Sequence, residues 1–496
     1  MPETHIDQLD PVARDMAERA LAWMDGGWDP AAGLFRMPGG AFYEDGRLGV
    51  PVHLVRESAW YALGLLLRDA PGDTARACLA IEALLAYQFD APGQPYHGTW
   101  RRSPHEPDPP PEPVVWRDYD PNWREFIGTT LALALLEYEP QLPAELVGRI
   151  DAALGRAIAG TLARNVPASY TNIALMTVFL LQFGAARLGQ PAWGAVAERL
   201  AGEIGQRFWA NRSFDEYNSP TYYAVDLYAL ALWRSYAFAP ALREAGAAIE
   251  AALWRDIAQF YHAGMRNLAG PYDRSYGMDM RQYVAGLGLW IWLSTGYARA
   301  PFPDLGRPFE HAWDFAKAPV VALLGAQVPI DARAHLLAFA GERTVERVIA
   351  AEPRRVATAW LSARAMLGAE DSASSHRVNQ QFHPATIHWL IGGDRAGWIR
   401  LRHAVPVDAR AEPGRLTIGC TRHDGGDLAF VFQLAAPGID LAMLQAGHWA
   451  LPGLAVRVAT NAAAQPPARV GELIELRYEV AGGQAGALVR FTLSIE

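Results

Sequence analysis

The segment 213–223 holds the densest group of side chains that could take part in chemistry. Its sequence, Ser-Phe-Asp-Glu-Tyr-Asn-Ser-Pro-Thr-Tyr-Tyr, contains two carboxylates, an amide and three phenols. Such groups are poor core material because each buried donor or acceptor needs a hydrogen-bond partner. Ser219-Pro220 predicts a helix start, with Ser at the N-cap and Pro at the first helical position. The segment is therefore predicted to form one wall of a binding cleft, with Tyr222 in the first helical turn.

Three other clusters also combine aromatic rings with hydrogen-bonding groups at predicted helix ends. They occupy residues 96–102 together with 116–125, residues 169–172, and residues 261–279. Proteins hold sugar rings on aromatic faces bordered by polar groups, because the C–H face of the sugar stacks while its hydroxyls meet fixed donors and acceptors. A single Trp or Tyr is more often a core residue. Four such clusters in one region predict a carbohydrate-binding cleft.

The elements that must position these clusters are helices in the first two thirds of the chain. Apolar residues recur at helical spacing in segments from residue 12 to residue 295. Short turns alternate with long aromatic-rich loops at 89–123, 209–220 and 263–280. Antiparallel helix pairs whose long loops emerge at one end indicate an (α/α) helical toroid, predicted over residues 1–345.

The periodicity changes to two after about residue 350. Short apolar segments such as Leu428–Leu434 and Leu473–Val480 are bounded by Gly or Asp turns. This pattern is typical of antiparallel sheets. The predicted fold class is therefore α+β and multidomain, with a C-terminal antiparallel β-sandwich-like domain over residues 346–496.

Composition and charge exclude several classes of function. The chain has 496 residues and a formal net charge of −9, with no basic run longer than a pair, so a nucleic-acid partner is not expected. No apolar run reaches the roughly 18 residues of a membrane span. The N-terminal residues lack signal-peptide features, which predicts a cytoplasmic protein. The sequence leaves the oligomeric state open, a homo-oligomer included.

No metal or cofactor motif is found. The two cysteines, Cys78 and Cys420, lie far apart in apolar patterns and predict buried thiols rather than a disulfide. There is no paired-histidine zinc motif, no phosphate-binding glycine loop and no Gly-x-Ser-x-Gly elbow. We therefore expect chemistry performed by side chains alone.

The predicted layout resembles the (α/α)-toroid polysaccharide lyases that cleave uronate-containing chains, such as alginate, chondroitin and heparin-type lyases. The resemblance rests on Tyr170-Thr171-Asn172 and Pro220-Thr221-Tyr222, in which Asn172 and Tyr222 lie 50 positions apart (222 − 172). It implies that Asn172 neutralises the uronate carboxylate and that Tyr222 is the acid. Ile173 and Ser213 depart from the family pattern, because they stand where some of these lyases carry a His or a Trp, and a His, respectively.

Elimination from a 4-linked uronide fits the residue types in the clusters. The reaction removes the proton on C5, and the enolate-like carboxylate that develops could be stabilised by Asn172 or by the charge of Arg124 or Arg274. His97 or His262 would be suitable as the base near neutral pH, and Tyr222 would protonate the leaving oxygen. The predicted substrate is an anionic oligosaccharide. Its sugar rings are expected on seven side chains: Trp100, Trp123, Tyr170, Tyr217, Asn218, Tyr272 and Tyr276.

Other functions remain open from the sequence. An inverting glycoside hydrolase would use two carboxyl groups, and Glu216 with Asp273 is the pair that we would test. A uronate C5 epimerase would share the first step of the lyase reaction. A non-catalytic carbohydrate-binding protein would need no convergence of His, Tyr, Arg and carboxylates. His376, His383 and His388 are predicted at the interface between the two domains.

Overall fold

The computed structural model describes residues 3–37, 52–372, 381–393, 395–403, 405–421, 427–482 and 488–496. His376 lies outside the described residues. Within them the N-terminal region is helical and the C-terminal region consists of antiparallel sheets. The helices are α1 Pro11–Asp25, α2 Val55–Arg68, α3 Asp73–Leu85, α4 Trp123–Tyr138, α5 Ala144–Arg164, α6 Thr171–Arg187, α7 Pro191–Asn211, α8 Tyr223–Tyr236, α9 Pro240–Phe260, α10 Gly286–Thr295, α11 Ala318–Leu324 and α12 Ile330–Leu337.

The helices pack as consecutive pairs around an inner set. The pairs are α2 with α3, α4 with α5, α6 with α7, and α8 with α9. The first members of these pairs contact one another in order, and α8 also contacts α10 and α11. Because α11 contacts α2 in turn, the inner helices close into a ring.

Sequence decides which helix of a pair is inside. Helix α6 is apolar on all sides and is buried over nearly its whole length, from Thr171 to Gly184. Helix α7 buries only a stripe, Ala197, Leu200, Ile204 and Phe208, whose spacing of three to four residues is one face of a helix. A helix that is apolar on all sides must be surrounded by other elements, so α6 is the inner helix. A helix with one apolar face, such as α7, can lie in the outer layer.

Small strands accompany the helices and two larger sheets follow them. The short strands are β1 Trp28–Asp29, β2 Leu34–Arg36, β3 His53–Leu54, β4 Tyr261–His262 and β5 Asn267–Leu268. The later strands are β6 Arg343–Ala350, β7 Arg355–Leu361, β8 Ala365–Asp371, β9 Ala385–Gly392, β10 Arg395–His403, β11 Asp408–Glu412, β12 Arg415–Thr421, β13 Leu428–Ala435, β14 Leu444–Gln445, β15 His448–Leu451, β16 Leu454–Thr460, β17 Ala463–Ala464, β18 Ala468–Val470, β19 Leu473–Val480 and β20 Leu488–Ile495.

The later strands form two antiparallel sheets. One sheet has the order β17-β19-β13-β10-β9-β8-β7-β6, with β18 also on β19, and the other has the order β11-β12-β20-β16-β15-β14. Side chains of both sheets, including Trp389, Phe432 and Phe491, share one apolar cluster. Residues on β6 to β8, such as Ile349 and Met366, belong instead to the apolar cluster of the helical region. The larger sheet is thus held between the helices and the second sheet.

Arg355 on β7 fastens the larger sheet to the helical region. Its Nη2 lies 2.7 and 2.8 Å from the two carboxylate oxygens of Asp273, and its Nε lies 2.8 Å from Glu370 Oε1. Ser213 Oγ donates to the carbonyl of Ile349 at 2.7 Å. All of these groups are buried or nearly so, and the loops around residues 213 and 273 are therefore held against the sheet.

Helix α8 begins later than the sequence predicts. Its first helical residue is Tyr223 and its N-cap is Tyr222. Ser219 caps the preceding turn instead, because its Oγ accepts from the backbone N–H of Tyr222 at 3.0 Å. The three-residue delay leaves the Tyr222 side chain at the helix mouth. Neither cysteine forms a disulfide, and Cys420 is buried. Among the helices described, none is both long and apolar enough to cross a bilayer.

Candidate active site at the ends of the inner helices

A cavity of about 1900 Å³ lies at one end of the inner helices. Its wall includes side chains from the first turns of four of these helices, among them Arg56 of α2, Trp123 of α4, Asn172 of α6 and Val225 of α8. Helix α10 also begins there, at Gly286. Helix N-termini carry partial positive charge and unsatisfied N–H groups. The helix ends thus favour a negatively charged ligand.

Loops and the sheet edge complete the wall. The 213–222 loop and the 270–285 loop both contribute, and so do the β6–β7 turn at 349–353 and Gln381 before β9. Asn122, just before α4, accepts from Arg164 Nη1 at 2.8 Å and donates to the hydroxyl of Tyr170 at 3.0 Å. Elements far apart in sequence therefore converge on one hollow.

Five polar side chains in this wall form a hydrogen-bonded chain, which we call the Arg274 network. Its members are Asn172, Glu216, Tyr222, Arg274 and Tyr276. Asn172 Nδ2 donates to Glu216 Oε2, and Arg274 Nη1 donates to Glu216 Oε1 at 2.5 Å. Arg274 Nη2 donates to the hydroxyl oxygen of Tyr222 at 2.6 Å. One guanidinium thus holds a carboxylate and a phenol side by side.

Tyr222 is arranged as a proton donor. Burial raises the pKa of its phenol well above the ordinary value, and the charge of Arg274 opposes this. Because an N–H of Arg274 donates to the phenol oxygen, the phenol's own proton is left for another acceptor. The hydroxyl of Tyr276 lies 2.8 Å away, on a residue that is 40% exposed. A ligand atom in place of that hydroxyl would receive the same hydrogen bond.

Two carboxyl groups, one in the network and one in the first turn of α8, have raised pKa values. Burial raises the pKa of Glu216, while Arg274 and Asn172 oppose the increase. Asp226, in the first turn of α8, is completely buried, and neither of its oxygens has a hydrogen-bond partner among the described residues. Burial, helped by repulsion from Glu216, raises its pKa well above the ordinary value. Burial thus favours the neutral, protonated form of Asp226.

A second set of charged groups lines the same cavity, and we call it the Lys317 cluster: Arg56, Glu57, Asp314 and Lys317. Arg56 Nη2 lies 2.5 Å from Glu57 Oε1 and 3.9 Å from Asp314 Oδ1. Lys317 Nζ lies 3.8 Å from the centroid of the Tyr228 ring. Burial lowers the pKa of Lys317 to about 7 and raises the pKa of Asp314 to about 6.

His311 and its aromatic neighbours join the two sets. The His311 ring stacks on Tyr276 with centroids 4.8 Å apart and an angle of 17°. Trp313 meets the same imidazole nearly edge-on at 4.8 Å. The charges of Asp314 and Arg56 also act on the phenol of Tyr276 and alter its pKa in opposite directions. The cavity wall is therefore continuous from Tyr222 to Lys317.

The structure brings together half of the site residues suggested by the sequence. Those that line the cavity are Asn172, Glu216, Tyr222, Arg274, Trp123, Tyr170 and Tyr276. All of them stand in the first turn of an inner helix or in the loops that precede or face those turns. This position at or near helix starts is the feature by which they could be identified from the sequence.

The two histidines expected as bases lie elsewhere. His262 is buried on β4, where its Nδ1 accepts from the N–H of Met265 at 3.1 Å and its Nε2 lies 2.9 Å from the carbonyl of Ser362. His97 Nδ1 accepts from the N–H of Ala91 at 3.1 Å. These bonds hold each imidazole within its own segment of the chain, and neither ring is part of the cavity wall.

Arg124 also supports a loop instead of the cavity. It is buried, and its guanidinium donates to the carbonyls of His97 at 2.9 Å and Pro95 at 2.5 Å. It therefore fixes the 95–97 turn against α4. Of the two arginines expected to bind the anion, Arg274 alone reaches the cavity.

Four of the expected sugar contacts are internal. Trp100 is fully buried in the helical core. Tyr217 directs its hydroxyl to Asp256 at 3.2 Å, and the amide of Asn218 donates to the carbonyls of Ala269 and Pro271. Tyr272 donates to the carbonyl of Leu268. All four side chains are buried, and the last three also bond to backbone or core groups, so none of them is available to a sugar.

Sequence reasoning missed His311 and the Lys317 cluster. The segment 301–319 is rich in proline, so it carries no helical periodicity that would single out its polar residues. A signal was present, because Lys317 is a lone charge directly before the apolar run of α11. His383 and His388 are buried on the side of the larger sheet that faces the helices, where His388 Nε2 lies 2.9 Å from the carbonyl of Met278. In the parts of the chain that the structure describes, no group of three or more His, Cys, Asp or Glu is placed to hold a metal ion.

Comparison with known families gives a match over most of the chain. Residues 14–326 match the family described as Domain of unknown function (DUF8769). The chain belongs to the DUF8769 family. Residues 341–486 of this DUF8769 protein match a second family, described as Domain of unknown function (DUF8770). None of the curated proteins matches the sequence.

Several solved structures are similar to this DUF8769 protein at low identity. Heparinase III has 10% identity and a TM-score of 0.45, over 98% of this chain and 85% of its own. The chondroitin AC lyase of Streptomyces coelicolor A3 has 12% identity and a TM-score of 0.46, over 98% and 80%. The endoglucanase CelQ of Clostridium thermocellum has 11% identity and a TM-score of 0.27, over 98% and 92%.

Proposed function

We propose that this protein is a carbohydrate-active lyase that cleaves uronate-containing oligosaccharides or polysaccharides by β-elimination. The observation that carries the proposal is the Arg274 network. Asn172 and Arg274 donate to one carboxylate, that of Glu216, while Arg274 also donates to the phenol of Tyr222. These are the donors that a uronate carboxylate and a leaving sugar oxygen would require next to each other.

The carboxylate of Glu216 stands in for the substrate's carboxylate. In the proposed complex the uronate carboxylate takes hydrogen bonds from Asn172 and Arg274, at the place where Glu216 now takes them. When C5 loses its proton, negative charge moves onto this carboxylate. Donors fixed in advance and aimed at developing charge stabilise it without reorganisation. The N-termini of the inner helices add to the same field.

Tyr222 supplies the proton to the leaving group. Its raised pKa keeps the phenol protonated at neutral pH, which suits an acid and disfavours a base. After transfer, the phenolate keeps the hydrogen bond from Arg274 at 2.6 Å. A nearby cation is what a phenolate needs in a buried site.

The hydrolase alternative has less support. Asp273, the expected partner of Glu216, is buried and receives two hydrogen bonds from Arg355 and one from the N–H of Tyr217. It is thus fixed as a structural counter-ion. Both oxygens of Glu216 are also engaged. A C5 epimerase would use the same carboxylate donors and would return the proton to C5 without breaking the chain.

We propose in addition that the closed ring of helix pairs is an (α/α) toroid. The order of helix contacts supports this, because the inner helices meet one another around the ring. The two C-terminal sheets, which share one apolar cluster, support a β-sandwich-like arrangement. In this arrangement the cavity opens where the ring meets the larger sheet.

The direct test is an absorbance assay on a panel of uronate-bearing oligosaccharides. Elimination creates a C4=C5 double bond conjugated to the carboxylate, so the proposed activity raises absorbance in the near ultraviolet. Tyr222→Phe should lower kcat by at least ~100-fold, the size of a lost general acid. Tyr297→Phe is the control, because that phenol bonds Pro303 and Leu305 away from the cavity.

Three results would contradict the proposal. New reducing ends without ultraviolet absorbance would indicate hydrolysis. Full activity of the Tyr222→Phe variant would remove Tyr222 from the reaction. Inversion at C5 without cleavage, followed by NMR, would instead identify an epimerase.

A further inference from the structure

The elimination needs a base, and the cavity offers one that the sequence did not suggest. We propose that His311 is the catalytic base, whose imidazole takes the C5 proton of the uronate; this rests on the proposed function. Of the histidines that the structure describes, His311 is the one that lines the cavity. It is contributed by the segment that leads into the 3₁₀ turn Ala312–Lys317.

The position of His311 relative to the acid supports this role. Its ring stacks on Tyr276 with centroids 4.8 Å apart, and the hydroxyl of Tyr276 lies 2.8 Å from that of Tyr222. Base and acid are thus separated by one tyrosine ring. In elimination from a 4-linked uronide, the proton lost from C5 and the oxygen leaving C4 belong to adjacent carbons. One sugar ring placed at Tyr276 would contact both residues.

The ring nitrogens of His311 make no hydrogen bond within the described part of the chain. Its Nδ1 is buried and bonds to no atom of the described residues, and its Nε2 also makes no hydrogen bond there. His262, by contrast, has partners on both nitrogens. Because His311 lines the cavity and its Nδ1 is covered, Nε2 is the nitrogen left for a ligand.

The protonation state of His311 also suits a base. Burial lowers the pKa of His311 below the ordinary value, and the Glu310 carboxylate opposes this. The imidazole is therefore neutral at pH 7, as a base must be.

The backbone holds His311 in an uncommon conformation. Its φ is +52°, in the left-handed region that residues other than Gly rarely adopt. On one side, the N–H of Val284 donates to the carbonyl of Glu310 at 3.0 Å; on the other, the N–H of Asp314 donates to the carbonyl of His311 at 3.0 Å. These bonds fix both flanks of the turn. Local strain held in this way is concentrated at functional positions.

The step balances without a cofactor. The C5–H bond breaks, and its proton goes to Nε2 of His311. The electron pair left on C5 forms the C4=C5 double bond as the C4–O4 bond breaks. The departing oxygen takes the proton of Tyr222. The products are an unsaturated uronide and a free sugar hydroxyl, and exchange with water returns His311 and Tyr222 to their starting states.

The test uses His311→Asn in the full chain, on an oligosaccharide that the wild type cleaves. Asn tolerates the left-handed conformation better than most residues, so the backbone can be kept. We expect kcat to fall at least ~100-fold with an unchanged melting temperature. His335→Asn is the matched control, because His335 is a partly buried histidine on α12 whose pKa is also lowered by burial, outside the cavity wall.

Two further measurements separate proton transfer from a structural role. In D₂O, the Tyr222→Phe variant should still exchange the C5 hydrogen of the substrate, whereas His311→Asn should not. Imidazole added to the His311→Gly variant should raise the activity of that variant at least ~10-fold. Gly accepts this φ and leaves room for the imidazole ring.

The outcomes distinguish this inference from the proposed function. A wild type that forms no unsaturated product on any substrate of the panel overturns both. An active wild type with a His311→Asn variant within ~3-fold of it overturns the assignment of His311 alone. A folded, inactive His311→Gly variant that imidazole does not rescue also overturns it, because the residue would then only position the substrate.

Discussion

The Arg274 network and the Lys317 cluster lie on the same cavity but hold their charges in different ways. In the network, Arg274 makes hydrogen bonds of 2.5–3.0 Å to Glu216, Tyr222 and Gln381. In the cluster, Lys317 Nζ has the face of an aromatic ring as its close neighbour, and Asp314 lies 3.9 Å from Arg56.

The pKa values record this difference. The pKa of Arg274 is raised despite its burial, because a carboxylate and two phenols attract its charge. The pKa of Lys317 falls to about 7 because desolvation outweighs its interactions. The network is thus a set of charges already organised for a ligand, whereas the cluster holds buried charges at a cost in stability. Changes in the network should alter rate, and changes in the cluster should alter stability.

The largest effect is expected from Arg274→Lys. A lysine has one charged nitrogen and cannot serve Glu216, Tyr222 and Gln381 together. We predict a fall in kcat/KM of at least ~100-fold, equivalent to ~2.7 kcal/mol of transition-state stabilisation. The control is Arg207→Lys, which changes an exposed pair with Asp215 at the cavity edge. Equal losses of kcat/KM in the two variants would contradict the proposed role of Arg274.

Lys317→Met should stabilise the protein, with an effect that depends on pH. Since the pKa is about 7 in the folded state and 10.5 in the unfolded state, the unfolded chain binds more protons between these values. The stability of the wild type therefore rises with pH across this window. We predict an increase in melting temperature of at least ~2 °C at pH 6.5 and a smaller increase at pH 9. If the variant melts at a lower temperature than the wild type at pH 6.5, the buried charge of Lys317 does not destabilise the folded protein and the prediction is wrong.

Glu216→Gln should change the rate by no more than ~10-fold, and it sharpens the choice between lyase and hydrolase. Removing the carboxylate frees Asn172 and Arg274 for the substrate, so we expect KM to fall while kcat stays within that range. Steady-state kinetics on the same oligosaccharide measures both constants. A loss of kcat above ~1000-fold would instead identify Glu216 as the acid of a hydrolase.

The smallest effect is predicted for Asp226→Asn, below the network. Because the folded-state pKa of Asp226 is raised above 3.8, the folded chain holds a proton that the unfolded chain releases as pH rises. Wild-type stability therefore falls with pH above about 4. The variant should be more stable by ~1 kcal/mol at pH 8 and equal to the wild type at pH 4. Urea unfolding at pH 4 and pH 8 measures the free energy of unfolding of both proteins. A difference between variant and wild type that is the same at both pH values would contradict the prediction.

Much of the fold and about half of the site could be predicted from sequence. Helical periodicity and loop length indicated that polar residues at helix starts share one end, which placed Asn172, Tyr222 and Arg274 in one cavity. The strand pattern likewise predicted segments such as Leu473–Val480, which is β19.

The rest depended on contacts that are distant in sequence. Asn218 has a left-handed φ of +49° and bonds to carbonyls more than 50 residues away, which no local pattern reveals. Tyr217 and Tyr222 are five positions apart and could not be distinguished from the sequence. Tyr217 is buried with its hydroxyl on Asp256, whereas Tyr222 lines the cavity. His311 lies in a proline-rich stretch whose regular structure is a short 3₁₀ turn, so periodicity gave no reason to single it out.

The ion pair of Arg355 with Asp273 has a consequence for dividing the chain. The two matched family regions meet between residues 326 and 341, yet this pair joins one side of that gap to the other. A fragment ending at residue 326 would lose Arg355 and the rest of the sheet that holds the loop around Asp273 in place. The two regions should therefore be produced as one polypeptide, and a fragment ending at residue 326 should be digested by trypsin faster than the full chain.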